Sequence, residues 1–198
     1  MLQARRRFFA REGFAPDGGY DEVWSDASFG PFPYATYNPP ARGAALRVHD
    51  LHHVVTGYGT SWRDESRISG WELGSGGAGR YPYAWFIALF GLFVGLLALP
   101  VQTWRAFVRG RGSGNLYRAD AIEPWLSRDV DEVRATLATR PRPRRGAWRT
   151  ALAFFGYGLL AVGLGAVFVA GVPMLVALGV VRRVGRCPCR CPLSASAV

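Results

Sequence analysis

The sequence predicts an all-α protein, a helical metal-binding domain with a C-terminal transmembrane helix. Three observations lead there. All three histidines of the chain, His49, His52 and His53, sit within one short stretch. The residues around them carry helical start and stop signals. Further on, residues 151–181 run for 31 positions without a charge, well past the roughly 20 needed to cross a bilayer.

Taken in order, residues 1–35 are rich in aromatics, glycine and proline and show neither helical nor strand periodicity. They are expected to form an irregular arm packed on the domain. MLQARRRFFAREGF has no apolar stretch after Phe9, so it does not read as a cleavable signal. The helical domain is expected over residues 36–140. Asn38 followed by Pro39 marks a helix start, which runs to Thr56 and stops at Gly57. Ser61 with Asp64 resembles a capping box and opens a second helix carrying Glu65, Ile68, Trp71 and Glu72. GSGGAG breaks the chain before the apolar run 83–101, which is expected to be buried, interfacial or spanning. RGRGSG reads as a loop. Residues 127–138 read as an amphipathic helix with Val130, Val133 and Leu137 on one side. Residues 141–150 form a basic linker, 151–181 the transmembrane helix, and 182–198 a basic tail containing Cys187, Cys189 and Cys191.

All 24 basic residues are arginine, and the net charge is +10. The arginines cluster on both sides of residues 151–181, as expected beside a membrane segment. No base-reading module accompanies them, so a nucleic-acid partner is not expected. The cysteine spacing is not C-x-x-C and has no histidine nearby, which argues against a zinc site or disulfide framework in the tail.

On a helix, each residue advances about 100°, which puts His53 roughly 40° from His49, one turn along the same face. This is the spacing at which a helix offers two imidazoles to one metal. Val48, Leu51 and Val55 fall nearly opposite, so the helix has an imidazole face and an apolar face. Asp50 and His52 flank the pair at equal angles, and rotation alone does not choose between them. Charge favours Asp50, since two carboxylates neutralise a divalent ion. Glu65, at the start of the next helix, supplies the second. His52 then lies behind the ligands or at the surface. Two imidazoles and two carboxylates suit Zn²⁺, and also Fe²⁺ or Mn²⁺.

The pattern His49, Asp50, His53, Glu65, written H-D-x-x-H-x(11)-E, resembles the signature of the coenzyme Q (ubiquinone) biosynthesis protein four family. RISGWELGSG after Glu65, and Asn115, Leu116 and Tyr117 with Trp125 and DVDEVRATL, are similar to that family's flanking segments. The resemblance covers residues 36–140 and departs from the family at Asp64, where glycine is usual. It implies an all-helical domain binding zinc through His49, Asp50, His53 and Glu65. It also implies association with a membrane, work on a polyprenylated aromatic lipid, and contact with other quinone-biosynthesis enzymes. On this reading the protein is a metal-dependent carbon–carbon lyase that removes the ring carboxyl of a polyprenylated hydroxybenzoate. Asp50 and Glu65 would be its catalytic carboxylates. Arg63, Arg67 and Trp71, beside Glu65, are candidate substrate contacts, with Gly70 leaving room for the prenyl tail. The metal domain is expected on the cytoplasmic face. Two other readings stand beside it: a prenyl-lipid-binding scaffold with a structural metal, and a membrane metallopeptidase. In the latter, the aspartate after the first histidine is one methylene shorter than the usual general base.

Overall fold

A computed structural model of the chain describes residues 1–29, 32–138 and 147–185. It has eight α-helices among these residues: α1 (Leu2–Glu12), α2 (Pro40–Thr56), α3 (Trp62–Gly74), α4 (Pro82–Ala98), α5 (Pro100–Arg111), α6 (Glu123–Leu126), α7 (Val130–Ala138) and α8 (Ala147–Gly185). A 3-10 turn covers Leu116–Arg118. The one sheet among the described residues is an antiparallel hairpin of β1 (Trp24–Phe29) and β2 (Phe32–Tyr37), in register from Trp24–Tyr37 to Phe29–Phe32. The protein is all-α apart from that hairpin.

The N-terminal arm is therefore not irregular. Its first part is the helix α1, which buries Phe8 and Phe9 against Tyr20, Leu46 and Val54. Two aromatics among eleven residues make too short an apolar stripe to stand out as helical periodicity. Asn38, expected to cap α2, has another task. Its amide donates to the carbonyls of Tyr20 and Glu22 and its Oδ1 accepts from Arg42, pinning the arm to the start of α2. The cap position is Pro39, with extended backbone and no side-chain hydrogen bond.

Elsewhere the local signals hold. α2 ends at Gly57, whose φ of 77° is the left-handed conformation that glycine tolerates. Ser61 caps α3 by accepting from the Asp64 N–H. Val133 and Leu137 of α7 are buried with Leu51 and Val55 of α2 in one hydrophobic core.

The apolar run 83–101 divides at Pro100, which lacks the N–H needed to continue α4. α4 is 17 residues long, buries Ala84, Ala88, Leu92 and Gly95, and belongs to the helical domain. The chain then continues as α5, whose buried stripe is Thr103, Ala106, Phe107 and Gly110. RGRGSG is thus a loop only in its second half. α3 packs closely on both α4 and α5. A Cβ at Gly74 would collide with the Phe107 carbonyl, and one at Gly110 with the Trp71 carbonyl. Gly70 belongs to the same seam: the backbone of Thr103 fills the space beside it, leaving no room there for a lipid tail.

α8 is the single described helix long and apolar enough to cross a membrane. Its Phe154 meets Trp104 and Phe107 of α5 at ring distances of 5.1 and 5.2 Å. Trp85 and Leu96 of α4 meet α8 near Tyr157 and Gly158, while Phe90 and Phe93 meet it near Phe168 and Gly165. α4 and α8 therefore pack on each other over residues 85–96 and 157–168. Most of α8 remains exposed, with Phe155 at 63%, Val167 at 71% and Met174 at 72%. Of the linker expected at 141–150, residues 147–150 are the first turn of α8 and the rest lies outside the described residues; of the tail expected at 182–198, residues 182–185 end α8 and the cysteine-containing remainder lies outside them.

Candidate metal centre

Burial of Val48, Leu51 and Val55 fixes the rotation of α2 about its axis. The opposite face then turns His49 and His53 toward α3. Both rings are buried, at 3% and 2% exposure. Residues 57–61 reverse the chain, so the first turn of α3 returns Glu65 to this face.

The three side chains converge. His49 Nε2 lies 3.1 Å from His53 Nε2, Glu65 Oε2 lies 3.4 Å from His49 Nε2, and Glu65 Oε1 lies 3.5 Å from His53 Nε2. Ligands at 2.0–2.1 Å from a tetrahedral ion are about 3.3 Å from each other. The triangle therefore has the edges such an ion requires, and His49, His53 and Glu65 form a group that can hold a metal. The Glu65 carboxylate is 31% exposed and forms the open side of the site.

The far nitrogens support this orientation. His53 Nδ1 is 3.2 Å from the Tyr58 carbonyl, and His49 Nδ1 is 2.9 Å from Glu72 Oε1. Both acceptors can take only a proton, so Nδ1 carries the hydrogen on each ring and Nε2 is left to face the centre. Two Nε2 lone pairs at 3.1 Å repel unless a cation or proton stands between them. Phe8 of α1 stacks on His53 at 5.2 Å and 20°, closing that side to water.

Charge is arranged to match. Burial alone would lower the His49 pKa, but Glu72 and Glu65 outweigh it and hold the imidazole well above its ordinary 6.5. Burial and the neighbouring His49 push His53 down to about 4, so it is neutral at pH 7. Burial would raise Glu72, yet His49 and His52 hold its carboxyl at about 2.

Asp50, expected as the fourth ligand, lies beside the triangle rather than at a corner. It is 8% exposed, and its Oδ2 accepts a 2.5 Å hydrogen bond from the Tyr20 hydroxyl. Burial raises its pKa, against the opposing influence of His49 and Tyr20. His52 is fully buried behind the ligands, its Nδ1 2.7 Å from Glu72 Oε1. Arg63 is exposed at the surface. Arg67 is committed to Asp64 at 3.2 Å. The Trp71 ring is buried against His52 at 5.3 Å, with no face open to the site.

Sequence reasoning missed Glu72 and Tyr20. Glu72 could have been found: it follows Glu65 by seven residues, two helical turns, and so lies on the same face of α3. Tyr20 comes from the arm, and no local spacing announces it. Compared with known proteins, the chain matches no family model, no curated protein and no solved structure.

Proposed function

We propose that the protein is a metal-dependent lyase acting at a membrane on a polyprenylated hydroxybenzoate, removing the ring carboxyl as in ubiquinone biosynthesis. The observation that carries the metal half of this reading is the His49–His53–Glu65 triangle, its edges matched to one divalent cation. The lipid half rests on the family resemblance of residues 36–140 and on an apolar helix beside the site. A Cβ at Gly91 of α4 would touch the Glu65 carbonyl at 3.2 Å, so α4 passes directly behind this corner. Its partly buried Phe86 and Val94 offer a surface for a prenyl chain.

A cation held by His49, His53 and Glu65 supplies Lewis-acid chemistry, stabilising negative charge that develops on a phenol or carboxylate. Zinc suits this donor set best, with iron or manganese as alternatives. Three protein ligands with a free position is the pattern of catalytic rather than structural sites. Asp50 would contribute as the adjoining proton carrier, its Oδ2 held by the Tyr20 hydroxyl. That same hydrogen bond counts against a peptidase, in which the corresponding acid must serve a nucleophilic water.

Elemental analysis of the purified protein, with mass spectrometry of the lipids that accompany it, tests the reading. About one zinc, iron or manganese per chain and a prenylated hydroxybenzoate or its product are expected. Glu65→Gln should lose most of the metal, and Asp50→Asn should keep it while losing turnover. Metal with ordinary phospholipid alone, and no turnover of the prenylated acid, would replace the enzyme by the scaffold reading. A wild-type protein that binds none of these metals would overturn both.

A further inference from the structure

We propose that Glu72 is the positioning residue of the metal centre, a buried carboxylate that clamps His49 in its ligating orientation and ties the ligand set, through His52, to Asn115–Tyr117. The inference rests on the metal reading above but adds residues and a connection that reading does not use.

The hydrogen-bond geometry assigns each proton. Glu72 Oε1 is 2.9 Å from His49 Nδ1 and 2.7 Å from His52 Nδ1. His52 Nε2 accepts the Leu116 backbone N–H at 2.9 Å, so that nitrogen carries no hydrogen. The proton of a neutral His52 must then sit on Nδ1, pointing at Glu72. One carboxylate oxygen thus takes two imidazole N–H donors, and His49 is left with Nε2 aimed at His53 and Glu65. Were Glu72 absent, His49 could place its hydrogen on Nε2, where it would block a metal–nitrogen bond.

Three consecutive residues brace this carboxylate from across the fold. The Asn115 amide donates to the Glu72 carbonyl, the Ser75 hydroxyl oxygen and the Gly77 carbonyl, at 3.4, 3.0 and 2.9 Å, fixing the end of α3. Leu116 holds His52 as described. The Tyr117 ring stands edge-on to His52 at 4.7 Å and 84°. Its buried hydroxyl lies in the field of Glu72, although neither it nor Glu72 Oε2 completes a hydrogen bond of standard geometry. Glu72 itself has 0% exposure. A fully buried carboxylate is a poor way to gain stability, since apolar packing of equal volume does as well or better. What it provides is a fixed direction for the rings it binds.

The test uses the full chain in detergent, with Co²⁺ as the probe metal. Two measurements are made: Co²⁺ affinity by chelator competition, and the protonation of ring nitrogens by histidine ¹H–¹⁵N NMR. In metal-free wild type, Nδ1 of both His49 and His52 should carry a proton, and should keep it when metal is added. Glu72→Gln should weaken Co²⁺ binding about 10- to 100-fold. His52→Gln, which touches no ligand and reaches His49 by way of Glu72, should weaken it by less than tenfold. A folded Glu72→Gln protein with affinity within about twofold of wild type would overturn the proposal, as would an unprotonated Nδ1 on His49. Should Glu72→Gln fail to fold, the wild-type ring protons decide the matter. Wild type that binds no Co²⁺ would sink the metal reading itself, a different outcome from a bound metal indifferent to Glu72.

Discussion

Acidifying the metal-free protein from pH 7 is expected to destabilise it through His53. The folded pKa of about 4 lies below the ordinary 6.5, so between those values the unfolded chain binds a proton that the folded protein refuses. Stability from this group is complete above pH 6.5 and is lost as pH falls toward 4, by up to about 3 kcal/mol. Glu72 adds a second loss below its ordinary 4.5, since its folded carboxyl lies at about 2. Thermal melts at pH 7 and pH 4.5 measure the drop, and a folded His53→Asn variant should show less of it. His49 has the opposite sign, and its raised pKa means that metal must displace a proton. Metal affinity should accordingly rise between pH 6 and pH 8. How much of this site was legible follows from distance along the chain. His49, His53 and Glu65 are set by one helix turn and one reversal, both visible as spacing. The place of Asp50 is decided by Tyr20, thirty residues away on the arm, and the burial of His52 by Leu116, sixty-four residues away. Neither contact leaves a local pattern.

Helices α3 and α5 meet through missing side chains. Gly74→Ala would drive a methyl into the Phe107 backbone and Gly110→Ala one into the Trp71 backbone. Each should destabilise the protein by about 1–3 kcal/mol, read from denaturant midpoints in detergent. Glu72 faces α2 from the opposite side of α3, so Gly74→Ala should act on stability first and on metal binding only as the fold loosens. The elements most easily read in advance were α2, with its stop at Gly57, α3, with its Ser61 cap, and the apolar stripe and end of α7, whose start lies at Val130 rather than at 127. α5 went unread because its arginines and glycines resemble a loop, while the residues that make it helical, Thr103 to Gly110, matter only against α3. α1 went unread because its two buried aromatics acquire meaning only against Tyr20 and α2.

At the scale of the whole molecule, one helix among the described residues is long and apolar enough to cross a membrane, and all of the chain's cysteines, Cys187, Cys189 and Cys191, follow it in sequence. If the helical domain faces the cytoplasm, a membrane-impermeant maleimide applied to intact cells should label these thiols. Labelling only after lysis would reverse the orientation or deny the crossing. The remaining consequence concerns length. At 39 residues α8 measures about 58 Å, against roughly 30 Å of hydrocarbon. An upright rod of that size cannot hide in a bilayer. The part left outside the hydrocarbon includes the stretch around Phe154 and Tyr157 that packs on α4 and α5, so a crossing α8 would hold the helical domain directly against the lipid heads.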